Sequence, residues 1–347
     1  MPQVQLTRGE VVESSHPFSA VVVLDGQLTQ TWGDDVHAAW RSAAKPFQLW
    51  CALEALGDPA LSPAELAIGA ASHAGQPGHV AQVRALLQRL GVEESRLSCG
   101  GHLPLNVNAA EAMLRAGEPF GPIHNNCSGK HTFMLAACDA QGWTGDYRRA
   151  DHPLQRRVQE TLTAWCGEAP RLGVDGCSVP TFLMPISAFG RAWSALARAM
   201  HDDGDPRLGR IGRAMAANPW MFSGDDRIDL DMMRGAQEPM LVKIGAAALY
   251  NVALDPDRQA EAQLDHRHML ALLVEQVVGD VDGGYDQHLL AALAHALLLD
   301  LAQEREREAV VGAHEAGAVA MRAGLGRGLD HARPQPLARH LHQAEAR

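Results

Sequence analysis

The chain has 347 residues, of which 46% are hydrophobic and 20% are charged. These proportions are typical of a globular protein and exclude a disordered chain, collagen and a coiled coil. Its 30 basic and 41 acidic residues give a net charge of −11, so we expect neither nucleic acid nor an anionic membrane as a partner. The length suits one large domain or two lobes.

The sequence lacks the features that are typical of secreted and membrane proteins. The most apolar run, residues 289–299, is short and contains His295, so it predicts a core helix rather than a membrane span. The first residues have no basic segment followed by an apolar one, as a signal peptide would. Six scattered cysteines are too few for a disulfide framework. We therefore expect a cytoplasmic protein whose cysteines are free thiols or metal ligands.

The predicted strands and helices do not alternate strictly along the chain. The β-branched segment 11–24 precedes Asp25-Gly26 and predicts a strand that enters a hairpin. Apolar residues at helical spacing predict helices at 46–56, 79–90, 154–166, 188–200, 266–278 and 286–307. Polar, glycine-containing loops are expected at 72–79, 99–108, 124–132, 173–181 and 218–235. The pattern indicates an α+β fold, with one two-lobed domain over 1–332 and a loosely held polar tail over 333–347.

Lysine is rare in this chain. Only Lys45, Lys130 and Lys243 are lysines, and the other 27 basic residues are arginines. An arginine supplies a solvated positive charge as well as a lysine does, but only the lysine amine loses its proton readily. The three lysines are therefore candidates for proton transfer or for another role that needs a neutral amine.

One of these lysines follows a serine at helical spacing. Ser42 and Lys45 lie three residues apart at the start of a predicted helix, where the amine can reach the hydroxyl and act as its base. Ser-x-x-Lys, then Ser72, then Lys243-x-Gly245 follow the order of the equivalent elements in serine β-lactamases and penicillin-binding proteins. A second lysine near Lys45 would lower its pKa. The alternative is a helix-capping serine and a solvated lysine.

A second cluster of chemically active residues surrounds two cysteines. The string 124–131 (HNNCSGKH) is not a P-loop, which needs a glycine and a hydroxyl at the positions of His124 and His131. Cys127, Cys177 and Asp175 offer donors that suit Zn²⁺. Neither a CxxC pair nor HxxxH spacing is present, so both cysteines could instead be buried apolar residues.

Taken together, these strings resemble the rhizobial-type, or class 3, L-asparaginases of the asparaginase II family. The resemblance covers about residues 5–325, and the matching strings are 8–9, 12–14, 41–48, 71–73, 99–102, 126–131, 175–180 and 243–246. It implies a fold like that of serine β-lactamases, penicillin-binding proteins and glutaminases, with helices around an antiparallel sheet. It also implies a homodimer that hydrolyses L-asparagine to L-aspartate and ammonia.

The resemblance further implies roles for particular residues. Ser42 with Lys45 and Ser72 with Lys243 are expected to form two Ser–Lys pairs, and which serine attacks the substrate is left open. The implied zinc ligands are Cys127, Lys130 and Cys177, with a substrate-positioning or site-shaping role for the metal. The expected substrate-binding residues are Arg41, Asn126, Asp175 and Arg227. The last of these follows from its acidic loop, where a guanidinium could clamp the α-carboxylate or form a surface salt bridge.

Two positions depart from the family pattern. Gln76 and Ala247 stand where the family usually has glutamate. Both changes remove a carboxylate, although the substrate carries an α-ammonium that favours an anionic partner. An inactive zinc-holding amino-acid-binding protein therefore stays open. So do a broader acyl or amide hydrolase of glutaminase or β-lactamase type and a structural zinc module.

Overall fold

A computed structural model describes residues 2–236, 240–246, 249–254 and 268–273. Residue contacts divide the chain into two units, Met1–Ala294 and His295–Arg347. The second unit lies outside the described residues. The predicted helix 286–307, the domain end at 332 and the polar tail also lie outside them, so these remain predictions.

The described strands form three antiparallel sheets. The strands are β1 Gln3–Arg8, β2 Val11–Pro17, β3 Ser19–Leu24, β4 Gln27–Trp32, β5 His37–Ala39, β6 Arg171–Val174, β7 Pro180–Pro185, β8 Met240–Ile244, β9 Leu249–Leu254 and β10 His268–Leu273. The largest sheet has the order β4-β3-β10-β9-β8, a smaller one has the order β5-β7-β6, and β1 pairs with β2.

Helices account for most of the remaining described chain. They are α1 Lys45–Ala55, α2 Pro63–Gly69, α3 Pro77–Leu90, α4 Val107–Ala116, α5 Ser128–Gln141, α6 Pro153–Cys166, α7 Ile186–Met200, α8 Pro206–Ala217, α9 Pro219–Phe222 and α10 Ile228–Gly235. None of these helices is long and apolar enough to cross a bilayer. The predicted α+β class is confirmed, as are the first four predicted helices to within a few residues at each end.

Two sequence predictions about the large sheet need correction. The segment 11–24 forms two strands, separated at Phe18, although the hairpin at Asp25-Gly26 is confirmed. The helix predicted over 266–278 is wrong, because His268–Leu273 is a strand between β3 and β9. Its unbroken apolar run suits a buried helix or a central strand equally well, so periodicity could not distinguish them.

Two expected loops also contain helices. The segment 124–132 includes the first residues of α5, and 218–235 contains both α9 and α10. Glycine and serine in the first turn of α5 gave the appearance of a loop. Gly129, in this first turn, lets α5 approach α2 closely. A Cβ built on Gly129 would lie 2.2 Å from the Ile68 carbonyl oxygen.

This close approach predicts that Gly129→Ala destabilises the protein by about 3 kcal/mol, because the added methyl meets backbone atoms that cannot rotate away. Gly235→Ala is the matched control, since Gly235 is also helical and has open space at its Cβ position. Urea unfolding of the two variants measures the difference. Equal stability of the two variants would contradict the close contact.

Candidate active site

Lys45 lies in a buried polar cluster at the start of α1, directly after the 3₁₀ turn Arg41–Ala44. Its side chain is only 1% exposed. The amine lies 2.6 Å from the carbonyl oxygen of Ala71, 2.8 Å from Ser72 Oγ and 3.3 Å from the carbonyl oxygen of Asn126. Burial lowers the pKa of Lys45 below its usual value. The amine is therefore easier to deprotonate than an exposed lysine.

The structure pairs this amine with a different serine from the one that helical spacing suggested. Within the described residues, the hydroxyl bonded to Lys45 belongs to Ser72, which is buried. Ser42 lies partly exposed in the preceding turn, where its carbonyl oxygen accepts the backbone N–H of Lys45. The N–H of Ser72 donates to the Phe222 carbonyl oxygen at 3.0 Å. Ser72 is thus fixed between the amine and the end of α9.

Lys243 lies on β8 and is fully buried. Its amine lies 3.2 Å from the Ile244 carbonyl oxygen and 3.8 Å from Asp229 Oδ2. No hydrogen bond joins it to Ser72 in the described structure. Burial lowers the pKa of Lys243 to about 7, with Lys45 adding to the effect and Asp229 opposing it. This amine can therefore gain and lose a proton near neutral pH.

The predicted zinc ligands lie together in the interior. Cys127 directly precedes α5, and the Lys130 amine lies 3.1 Å from Cys177 Sγ. A hydrogen bond from Cys177 lowers the pKa of Cys127 well below its usual range and raises that of Cys177. The two sulfurs raise the pKa of Lys130 despite its burial. Among the described residues no group of three or more His, Cys, Asp and Glu side chains suits a metal ion, but the predicted ligands include only two such residues.

The loop after β6 contributes an ion pair beside the lysines. Arg41 Nε donates to Asp175 Oδ1 at 2.5 Å. Burial alone would raise the pKa of Asp175, but the charges of Lys130 and Arg41 outweigh it and the pKa lies below its usual value. Arg41 and Ser178 both have positive φ, at 50° and 70°. Such a conformation costs about 1–3 kcal/mol in a non-glycine residue and is concentrated at functional sites.

The two remaining predicted substrate-binding residues have different neighbours: Asn126 contacts Cys127, and Arg227 acts on Lys243. Asn126 Oδ1 lies 3.2 Å from Cys127 Sγ, and the Asn126 backbone N–H donates to His102 Nε2 at 3.3 Å. Arg227 directly precedes α10, and its buried Nε has no hydrogen-bond partner within the described residues. Its charge contributes to the low pKa of Lys243, so the guanidinium lies near that lysine.

The arrangement brings together a buried Ser–Lys pair, a second amine that titrates near neutrality and two cysteines beside a third lysine. The family model for L-asparaginase II matches residues 4–314. The chain belongs to the L-asparaginase II family. Membership makes it an amidohydrolase that acts on L-asparagine. A comparison with curated proteins gives no match.

Some polar residues near the site escaped the sequence analysis. Asp229 approaches Lys243, and Asn251 lies opposite it in the register of β8 and β9. Asp229 belongs to an acidic segment, DDRIDLD, that looks like a solvated surface. Asn251 did carry a signal, because it interrupts the otherwise apolar strand LYNVAL.

One departure from the family pattern has a structural role. Gln76 Nε2 donates to Asp225 Oδ2 at 2.8 Å, and the Asp225 backbone N–H donates to Gln76 Oε1 at 2.9 Å. This reciprocal pair ties the start of α3 to the loop between α9 and α10, where Arg227 lies. A glutamate at this position could not donate to Asp225 when ionised. The second departure, Ala247, lies outside the described residues.

The reciprocal pair predicts a pH-dependent loss of stability in Gln76→Glu. Two facing carboxylates raise the pKa of one of them in the folded state above its unfolded value. The folded state then binds more protons, so the variant loses about 1 kcal/mol at pH 7 and regains it below about pH 4. Thermal unfolding from pH 3.5 to 8 measures this, with Gln88→Glu on the exposed side of α3 as control. A loss independent of pH would contradict the explanation.

Proposed function

We propose that the protein hydrolyses L-asparagine to L-aspartate and ammonia with Ser72 as nucleophile and Lys45 as its base. The observation that carries this proposal is the 2.8 Å contact between Lys45 Nζ and Ser72 Oγ. A neutral amine has two N–H donors and one lone pair. The two carbonyl oxygens beside Lys45 accept hydrogen bonds only, which leaves the Ser72 hydroxyl as the partner able to donate to the lone pair.

The reaction then proceeds through an ester on Ser72. Lys45 takes the hydroxyl proton while Oγ attacks the side-chain amide carbon of asparagine. The C–N bond breaks as the nitrogen receives a proton from Lys243, and ammonia leaves. Lys243 recovers a proton from the protonated Lys45, which makes Lys45 neutral again. A water molecule, deprotonated by Lys45, attacks the ester carbon, and Ser72 regains its proton as aspartate leaves. The Ser–Lys pair thus ends in its starting state.

Lys243 is suited to deliver the proton to the leaving nitrogen. Its pKa of about 7 allows both the charged and the neutral amine to be present at neutral pH. Ser42, partly exposed beside the buried pair, is proposed to relay protons between the substrate and the lysines. This assignment exchanges the roles that spacing along α1 would give to the two serines.

The charged residues around the lysines suit a zwitterionic amino acid. The unpartnered Arg227 Nε offers a donor for the α-carboxylate. Asp175 remains ionised because Lys130 and Arg41 hold its pKa low, so it can accept a hydrogen bond from the α-ammonium. Arg41 orients Asp175, and the Asn126 side-chain amide lies beside Cys127 to contact the substrate.

We also propose that Cys127, Lys130 and Cys177 hold Zn²⁺. The residues fit this ion because two buried sulfurs and an amine nitrogen converge, and thiolate is a favoured zinc ligand. When bound, zinc would fix these three side chains and offer an open coordination position to a substrate atom. The amine must be neutral to act as a ligand, so Lys130 would give up its proton on binding.

We also propose a specific fold, an oligomeric state and a cellular location for the protein. An antiparallel sheet that, as far as it is described, ends in the strand of Lys243, together with Lys45 on a packed helix, supports a serine β-lactamase-like fold. A homodimer is proposed from the family resemblance, and a cytoplasmic location from the six free cysteines.

An assay of ammonia release tests the proposed function. We expect L-asparagine to be hydrolysed in preference to L-glutamine and to a chromogenic lactam. Faster turnover of glutamine or the lactam would support the broader hydrolase instead. Asparagine binding in calorimetry without ammonia release would support the inactive amino-acid-binding protein and overturn the proposal.

A further inference from the structure

Two fully buried polar side chains face Lys243 and have no role in the mechanism above. Asp229 and Asn251 are both 0% exposed. Asp229 Oδ2 accepts the backbone N–H of Ile244 at 3.4 Å and lies 3.8 Å from the Lys243 amine. Its second oxygen, Oδ1, has no hydrogen-bond partner in the part of the chain that the structure describes. The carboxylate therefore approaches the amine closely without a hydrogen bond to it.

Asn251 lies next to Lys243 on the adjacent strand, β9. The two residues are paired in the antiparallel register of β8 and β9. Directly paired side chains leave a sheet on the same face, with Cβ atoms about 4.5–5.5 Å apart. Among the described residues, neither polar atom of the Asn251 side chain has a hydrogen-bond partner. Because buried amides are almost always paired, this one is available to a group that moves or changes its protonation.

The groups around Lys243 leave both of its protonation states incompletely satisfied. A protonated amine has three donors, and the Ile244 carbonyl oxygen accepts one of them. Among the described residues, the charged groups with the largest effect on Lys243 are Asp229 and Arg227 at the start of α10, Lys45 on α1 and Cys127 before α5. From α9 the Phe222 ring faces it, with a centroid 5.8 Å from the amine. Of the described residues, Asp229 supplies the carboxylate paired with this amine, and Asn251 is a neutral donor on the adjacent strand.

We propose that Asp229 and Asn251 are positioning residues that hold the Lys243 amine in its two protonation states. Asp229 supplies the counter-charge of the protonated amine. The Asn251 NH₂ group donates to the nitrogen lone pair of the neutral amine. With both states supported, Lys243 can pass its proton to the leaving ammonia and then recover it. The use of this proton exchange in catalysis rests on the proposed function, whereas the placement of Asp229 and Asn251 around Lys243 does not.

Titration of the lysines by NMR tests the inference directly. With lysine labelled by ¹³C at Cε, the chain gives only three lysine signals, and Lys243→Arg identifies one of them. We expect Asp229→Asn to lower the pKa of Lys243 by about one pH unit or more, and Asn251→Asp to raise it by a similar amount. Asp231→Asn, which removes the same charge from an exposed position on α10, is the control and should leave the titration unchanged.

The outcomes separate this inference from the proposed function. An unmoved Lys243 titration in folded Asp229→Asn and Asn251→Asp would overturn the inference, even if asparagine is hydrolysed. A shift in Asp229→Asn alone would overturn the part played by Asn251. Expected shifts in a protein that releases no ammonia would support the inference and overturn the proposed function. If Asp229→Asn does not fold by circular dichroism, Asn251→Asp and Asn251→Leu still decide the matter, since Asn251→Leu should lower kcat with little change in KM.

Discussion

Replacing Ser72 by alanine is expected to lower kcat for L-asparagine by at least about 10³-fold with little change in KM. The variant removes the hydroxyl that contacts Lys45 Nζ, and enzymes lose this much when one member of a nucleophile–base pair is removed. Lys45→Ala and Lys45→Arg should be equally inactive, because a guanidinium keeps its charge and cannot accept the hydroxyl proton. Steady-state ammonia release measures all three variants.

The pairing of Ser72 with Lys45 is tested by whether the effects of their variants on kcat add up. If Ser72 and Lys45 act as one unit, the double variant Ser72→Ala/Lys45→Ala should be no slower than either single one. Ser194→Ala is a suitable control, since Ser194 is a buried serine on α7 whose hydroxyl accepts a hydrogen bond from Gly26. A Ser72→Ala variant that keeps more than a tenth of the activity, together with an inactive Ser42→Ala, would identify Ser42 as the nucleophile.

The lysines of this site were predictable because they are so rare. In a chain with 27 arginines, each of the three lysines invites a chemical explanation, and the structure places all three in the interior. The Lys45–Ser72 contact was harder to predict. Spacing along a helix compares only residues near in sequence, which favours Ser42, whereas this contact joins residues 27 positions apart. Only the packing of the segment after α2 against α1 brings Ser72 to the amine.

Two other features, the strand β10 and the burial of Asp229, depend on tertiary contacts that local sequence patterns do not reveal. The run HMLALL becomes a strand because β3 and β9 pair with both of its edges. Asp229 lies in an acidic segment like many exposed ones, and its burial depends on α10 packing against β8. Local patterns therefore found the residues with unusual chemistry, while tertiary pairing decided which partners they have.

The second large effect is expected at the sulfur cluster. Cys177→Ser should lower zinc affinity by more than about 100-fold, since even residues that only support a metal ligand account for 10–100-fold. The matched control is Cys138→Ser, because Cys138 is also buried and lies on α5 apart from the cluster. Metal analysis after dialysis, combined with competition against a chelator, measures the affinity. Equal zinc content in the two variants would show that Cys177 is not a zinc ligand.

Lys130 is the decisive residue for this metal site, because a lysine can bind zinc only as a neutral amine. In the structure its amine contacts Cys177 at 3.1 Å, a geometry that an ammonium paired with sulfur and a metal-bound amine would both occupy. Lys130→Arg separates the two, since the guanidinium retains the charge but does not deprotonate. If the amine is a ligand, Lys130→Arg should bind zinc as weakly as Lys130→Met, and zinc binding to the wild type should release protons, measured by calorimetry in buffers of different ionisation enthalpy. Wild-type affinity in Lys130→Arg would instead limit the role of Lys130 to its charge.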